Sequence, residues 1–248
     1  MTASFARELL GWIESKGKSK LVPNCADTDS DQSVRLASEM LNQLEVPAGV
    51  PSAVPKNPGP ALETRVEDDL AKQLVQRRPD REWQVSRGRV VTDFLQYRHL
   101  DEVDTLVKRD PALAVTIGRD YLIRPDVTVG IASPDAGFPL LHAAISCKWT
   151  IRSDRVQNIR HEFNQLIRHR RGRLPHLVTV TAEPLPSRLQ SIARGTGEVD
   201  AVYHIAYDAL AAAVEKVGNA TQRAAWHECT QQRRVLSYEH LVSTLVTW

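Results

Sequence analysis

The chain has 248 residues, of which 42% are hydrophobic and 25% charged, with a formal net charge of +2. That composition belongs to an ordinary folded protein and excludes a disordered chain, and no apolar run approaches the roughly 18 residues of a membrane span. The small net charge leaves nucleic-acid binding open, because the distribution of charge matters more than its sum.

Residues 4–15, S-F-A-R-E-L-L-G-W-I-E-S, fit a short amphipathic helix. N-C-A-D-T-D-S-D-Q-S is a polar loop, with Ser30 or Asp31 as the cap of a helix from Val34 to Leu44. The stretch V-P-A-G-V-P-S-A-V-P-K-N-P-G-P is dense in proline and glycine, and reads either as a linker or as an ordered arm. A helix of Ala61 to Gln76 follows, carrying Glu63, Glu67, Asp68 and Asp69. A short strand, Trp83 to Ser86, and a long helix around Phe94 to Arg109 come next; His99 and Asp101 there read as surface residues. Val127 to Ile131 and Leu140 to Ile145 have the length of buried strands, with turn formers between them. Val156, Ile159, Phe163, Leu166 and Ile167 repeat at helical spacing. H-L-V-T-V-T-A-E and D-A-V-Y-H-I-A are further strands around a helix in P-L-P-S-R-L-Q-S-I-A, and Tyr207 to Trp248 reads as two or three helices. Strands alternating with helices predict an α/β fold with a central mixed β-sheet flanked by helices.

The three cysteines, Cys25, Cys147 and Cys229, are far apart and form no C-x-x-C pair, so neither zinc nor a disulfide framework is expected. The N-terminal residues lack the apolar core of a signal peptide, and the expectation is a soluble cytoplasmic protein with no membrane partner.

Asp126 stands where one central strand begins and Lys148 where the next ends. If the two strands are antiparallel neighbours, a carboxylate and a lysine meet at one edge of a sheet. Phosphodiester hydrolysis needs that combination: carboxylates to hold a hard divalent cation such as Mg²⁺, and a cation beside it to hold phosphate or orient water. The pair resembles the P-D…(D/E)-x-K signature of the restriction-endonuclease-like nucleases, a motif that is weak alone. The position two before Lys148, acidic in that signature, is Ser146, so the missing carboxylate must come from elsewhere. Glu162 is the candidate, beside Ile159 and Phe163 on the apolar face of the following helix; a solvated helix flank is the plainer reading.

S-C-K, R-S-D-R from four residues after the lysine, and a glutamate fourteen after it together resemble the NgoMIV restriction endonuclease family. More broadly they are similar to type II enzymes that cut sites containing CCGG. In that group the acidic residue moves from the strand to the next helix. The resemblance runs from about Asp27 to Tyr207; the turn after Asp126 is shorter than the family pattern. It implies a restriction-endonuclease-like core, a single domain over residues 1–248 with a helical and arm region to about residue 60, and the Pro-rich stretch lying against DNA. It implies two Mg²⁺ ions bridged by Asp126, with Glu162 and the backbone carbonyl of Cys147 as further ligands. Ser146 becomes an ancillary polar group. K-N-P-G-P-A-L-E matches a family stretch ending in a glutamate that faces the metals, which implies Glu63, with Glu67 one turn away as competitor. The implied assembly on double-stranded DNA is a homodimer that pairs into a homotetramer.

Reading of sequence rests on hydrogen-bond patterns. Arginine matches the O6 and N7 acceptors of guanine, and a carboxylate accepts from the cytosine amino group. Arg152, Asp154 and Arg155 therefore carry the groups to read two adjacent G·C pairs, and a two-fold dimer doubles them to four. A set of salt bridges at a helix start is the alternative. The resemblance names the palindrome, CCGG, and places Arg188 and Asp27 where an outer pair of GCCGGC is read; a helix cap or a turn would also account for these two. Arg160, Arg168, Arg170, Arg171 and Arg173 add a basic span that is either a solvated helix face or a phosphate-facing surface. The expected activity is Mg²⁺-dependent type II cleavage. A repair or recombination nuclease of the same fold and a non-catalytic DNA-binding protein are the alternatives.

Overall fold

The computed structural model describes residues 2–14, 20–118, 121–133, 137–151, 153–195 and 197–247; within these, the side chains of Pro111, Ile117, Ser153, Asp154 and Arg155 are not described. The N-terminal amphipathic stretch is helical only over Ala6–Leu9 (α1). The chain is already extended at Leu10, and Trp12–Glu14 (β1) pairs antiparallel with Leu21–Pro23 (β2). The single helix expected over 4–15 thus gives way to a strand at Trp12, because pairing of Trp12 and Ile13 with a partner strand outweighs a helical pattern barely three turns long.

Asp31–Gln43 (α2) begins where the polar loop ends, with the Ser30 hydroxyl accepting from the Ser33 N–H. The Pro-rich segment is ordered against β1: the Trp12 N–H donates to Ser52 Oγ at 2.9 Å, and the Ser52 N–H donates to the Trp12 carbonyl at 2.8 Å. Gly11 permits this approach, since a Cβ there would lie 2.4 Å from Ser52 Cβ. Pro58–Arg77 (α3) starts three residues before the predicted Ala61, because Pro58 sits at the first helical position, where its missing N–H costs nothing.

Trp83–Arg87 (β3) is followed not by one long helix from Phe94 but by two 3₁₀ turns, Val91–Asp93 and Leu95–Tyr97, and then His99–Arg109 (α4) and Pro111–Ile117 (α5). The reason is Gln96. Its buried side-chain amide donates to the Leu141 carbonyl at 2.7 Å and accepts from the Leu141 N–H at 2.8 Å, which holds the chain against the sheet and off the helical path.

Val127–Ile131 (β4) and Leu140–Lys148 (β5) are the predicted central strands, β5 running three residues past Ile145. Ser153–His169 (α6), His176–Thr181 (β6), Pro186–Ala193 (α7), Ala201–His204 (β7), Tyr207–Val217 (α8) and Ala220–Gln231 (α9) follow, then Val235–Ser237 (β8) and Glu239–Thr247 (α10). The C-terminal part therefore holds a strand among its helices. Among the described residues the main sheet has six strands in chain order, β3 to β8. β3, β4 and β5 pair antiparallel; β5 through β8 pair parallel. This is the mixed sheet expected, with helices between the parallel strands as such crossovers require. β5 and β6 are buried almost throughout, and one apolar cluster runs from Ala3 to Leu245. No described helix is long and apolar enough to cross a membrane.

Candidate active site

The register of β4 and β5 builds the site. Val127 lies opposite Ile145, so Asp126, one residue earlier, comes beside Ser146, with Lys148 two residues further along the same face of β5. Asp126 Oδ2 accepts from Lys148 Nζ at 2.6 Å, from the Cys147 N–H at 2.7 Å and from Ser146 Oγ at 3.3 Å. The Asp126 and Lys148 side chains are each about a quarter exposed, at 23% and 24%, so the pair is held by the sheet yet open to a ligand.

Two further carboxylates approach this pair. Glu63, on the first turns of α3, lines a cleft of about 520 Å³ with Cys147, Lys148, Trp149 and the Asn57–Pro60 segment. Burial and then the charge of Asp126 push its carboxyl upward. Glu162, half-buried on α6, is also pushed up by burial, with Lys148 pulling it back and Asp126 adding to the rise. Glu67 is engaged by Arg87: its carboxylate accepts from Arg87 Nε at 2.8 Å and from the Arg87 N–H at 3.2 Å. The Cys147 thiol is buried and pushed well up, by burial first and then by Asp126 and Glu63, so it stays protonated.

Among the described residues no three acidic, histidine or cysteine side chains are close enough to form a complete protein-ligand set for a metal. The donors that do gather are oxygens, and each of the two flanking carboxylates is raised in part by Asp126, a repulsion that a cation relieves. That suits Mg²⁺, which takes one or two carboxylates and fills its remaining positions with water and phosphate oxygens.

Arg152 lies outside the described residues. Asp154 and Arg155 are in the first turn of α6, with side chains not described. Arg188 and Asp27 are brought together from 161 positions apart, Arg188 Nη2 donating to Asp27 Oδ2. Both line a groove of about 700 Å³ whose other walls are Ile151, Val156, Gln157 and Arg160 of the α6 side and Ser187 and Ser191 of α7. Of the basic span, Arg160 is occupied in tying α6 to the Ser191 carbonyl at 2.9 Å, and Arg170 in binding its own helix end at the Ile167 carbonyl.

Two residues around the site escaped the sequence reading. Trp149 Nε1–H donates to the Asn24 carbonyl at 3.0 Å, fastening the loop that carries Asp27 to the end of β5. Glu183 is fully buried just beyond β6, and Arg188 Nη1 stands 3.8 Å from its Oε2. A glutamate closing a run as apolar as H-L-V-T-V-T-A and followed by P-L-P was the signal available for it.

Comparison with known proteins gives one family model, described as NgoMIV restriction enzyme, matching residues 5–134 and 131–241. The chain is also 37% identical over 236 residues to the type II restriction enzyme NgoMIV of Neisseria gonorrhoeae, an alignment covering 82% of each protein.

Proposed function

The chain belongs to the NgoMIV restriction-enzyme family and is a type II restriction endonuclease; we propose that it hydrolyses double-stranded DNA at GCCGGC with the help of Mg²⁺. The observation that carries this reading is the convergence on Asp126 of Lys148, Ser146 and the Cys147 N–H, with Glu63 and Glu162 beside them. Asp126, Glu162 and the Cys147 carbonyl would hold the ion, and Glu63 completes the acidic cluster. When bound, Mg²⁺ polarises the scissile phosphate and lowers the pKa of the attacking water. Lys148, fixed at the end of β5, holds the phosphate or orients that water. Ser146 donates to Asp126 and keeps its carboxylate turned toward the strand ends.

Arg152, Asp154 and Arg155 read the inner CCGG from the start of α6, and Arg188 with Asp27 reads the flanking G·C pair from the groove between α6 and α7. The palindrome calls for a two-fold dimer, and the family resemblance implies that two such dimers pair into a tetramer. Digestion of a plasmid of known sequence with purified protein and Mg²⁺, followed by mapping of the ends, tests this. Cuts at GCCGGC alone are expected. Cuts at other NCCGGN sites would reject the Arg188 and Asp27 assignments and keep the inner reading; cuts at sites lacking CCGG would sink the whole of it. Structure-dependent nicking would point to a repair nuclease, and binding without cutting to a regulator.

A further inference from the structure

Glu183 is 0% exposed. A buried glutamate is costly unless its oxygens are satisfied, and both are. Oε2 accepts from the Ile151 N–H at 2.7 Å; Oε1 accepts from the Leu185 N–H at 3.1 Å. Arg188 Nη1 stands 3.8 Å from Oε2. Ile151 lies two residues before α6, at the entry to R-S-D-R, and Leu185 is the N-cap residue of α7, the helix that carries Arg188. Ile151 and Arg188 meet again as walls of the groove that also holds Asp27. A single buried carboxylate is therefore bonded to the start of both segments assigned to base reading, and faces the guanidinium of one of them.

We propose that Glu183 is a positioning residue for site selection, fixing the entry to R-S-D-R and the start of α7 relative to each other so that inner and outer G·C pairs are read in one register. The proposal deepens the reading given under Proposed function and rests on it. Only a carboxylate does this work in the space available. It offers an acceptor to each N–H, whereas glutamine in the same place turns an NH₂ toward one of them and leaves donor facing donor. If Glu183 were no more than the counter-charge of Arg188, its two backbone bonds would have no part in specificity.

The test is competition binding in Ca²⁺ with three duplexes: one containing GCCGGC, one containing ACCGGT, and one without CCGG. Wild-type protein is expected to show two steps of discrimination, outer and inner. Arg188→Ala loses the outer step alone. Glu183→Gln is expected to lose both, each by about tenfold or more, while its affinity for the duplex without CCGG stays within about twofold. Retention of both steps by Glu183→Gln overturns the proposal, and so does loss of the outer step alone or an equal fall for all three duplexes. If Glu183→Gln does not fold, hydrogen exchange of the wild type decides: the Ile151 and Leu185 amides protected to the same degree support the shared anchor, and rapid exchange at either one refutes it. A wild-type protein with no preference for CCGG overturns the functional reading and this proposal together; a preference that survives in Glu183→Gln overturns this proposal alone.

Discussion

Replacing Asp126 by alanine separates what this carboxylate does for the fold from what it does for the reaction. In the fold, Oδ2 is the acceptor for the Cys147 N–H at 2.7 Å, for Ser146 Oγ at 3.3 Å and for Lys148 Nζ at 2.6 Å. Removing it leaves the Cys147 N–H, on a buried residue, without its acceptor, which costs about 1–3 kcal/mol. Loss of the partly exposed lysine pair adds less than about 1 kcal/mol. Relief of repulsion on Glu63 and Glu162 acts in the opposite direction. At about 2–4 °C per kcal/mol for a chain of this size, Tm should fall by roughly 3–8 °C. In the reaction, if Asp126 holds the metal as proposed, its loss removes several kcal/mol of transition-state stabilisation, about 10³-fold or more in rate. Asp126→Asn keeps an acceptor oxygen, so it should hold the wild-type Tm and still fail to cut. The assay is single-turnover cleavage of a GCCGGC duplex in Mg²⁺, with binding in Ca²⁺ and thermal unfolding measured on the same preparations. A variant that melts early, binds normally and cuts within about tenfold of wild type would refute the assignment, because structural damage alone would then account for everything seen.

Glu162→Gln should slow single-turnover cleavage by about 10²–10³-fold with cognate binding intact; near wild-type turnover would make it a helix-flank residue. Glu63→Gln should likewise lower the cleavage rate, whereas Glu67→Gln should cost only about 0–1 kcal/mol through its bond to Arg87 and leave cutting unchanged, as urea unfolding and cleavage assays would report. Burial pushes the Glu183 carboxyl up to about 7 from its ordinary 4.5, so between those values the folded chain holds a proton that the unfolded chain lacks. Stability from this group therefore rises on acidification, by about 2 kcal/mol between pH 7.5 and 5. His142 and His204, pushed down to about 4 by burial, act in the other direction, so the measurement is the difference in urea midpoints between wild type and Glu183→Gln; parallel pH dependences would contradict it.

The centre of this fold was legible because its signals are local. Val127–Ile131 and Leu140–Ile145 are largely apolar runs of strand length, and once they pair antiparallel the meeting of Asp126 with Lys148, at the end of the longer β5, follows from geometry. A cap at Ser30 or Asp31 was legible for the same reason, a short side chain just ahead of a periodic segment, and the structure takes Ser30, with the helix starting at Asp31 rather than Val34. The errors lie where a distant contact decides. β1 depends on β2 and on Ser52, forty residues away. The unwinding before His99 depends on the Gln96 bonds to Leu141. β8 is three residues long, too short for any period to appear, and exists because β7 presents an edge to it. Glu63 lines the cleft beside Lys148 while Glu67 is bonded to Arg87, a difference that rests on contacts outside α3 and that no local pattern carries. Glu183 reads in sequence as an ordinary end to a strand, since neither Ile151 nor Leu185 contributes more than a backbone N–H to it.

Only Trp149, Thr150 and Ile151 separate Lys148 from Arg152, and two of the three are pinned to the sheet or to the Asp27 loop. The Trp149 carbonyl accepts from the Ala182 N–H at 3.2 Å and from Thr181 Oγ1 at 3.4 Å, while its indole holds the Asn24 carbonyl. The Ile151 N–H is held by Glu183. Under the proposed base-reading role of R-S-D-R, its displacement on a wrong base pair has little slack in which to dissipate before it reaches the lysine and the carboxylate bonded to it. Misplacement of a catalytic group by about 1 Å costs on the order of 10²-fold in rate. The expected outcome is that discrimination is larger in cleavage than in binding. The ratio of single-turnover rates on GCCGGC and ACCGGT in Mg²⁺ should exceed, by about tenfold or more, the ratio of affinities for the same duplexes in Ca²⁺. Saturating protein is used in the rate measurement, so that weaker binding of the wrong site does not enter the rate. Equal ratios would mean that the reading segment and the lysine move independently, despite the short, pinned connection between them.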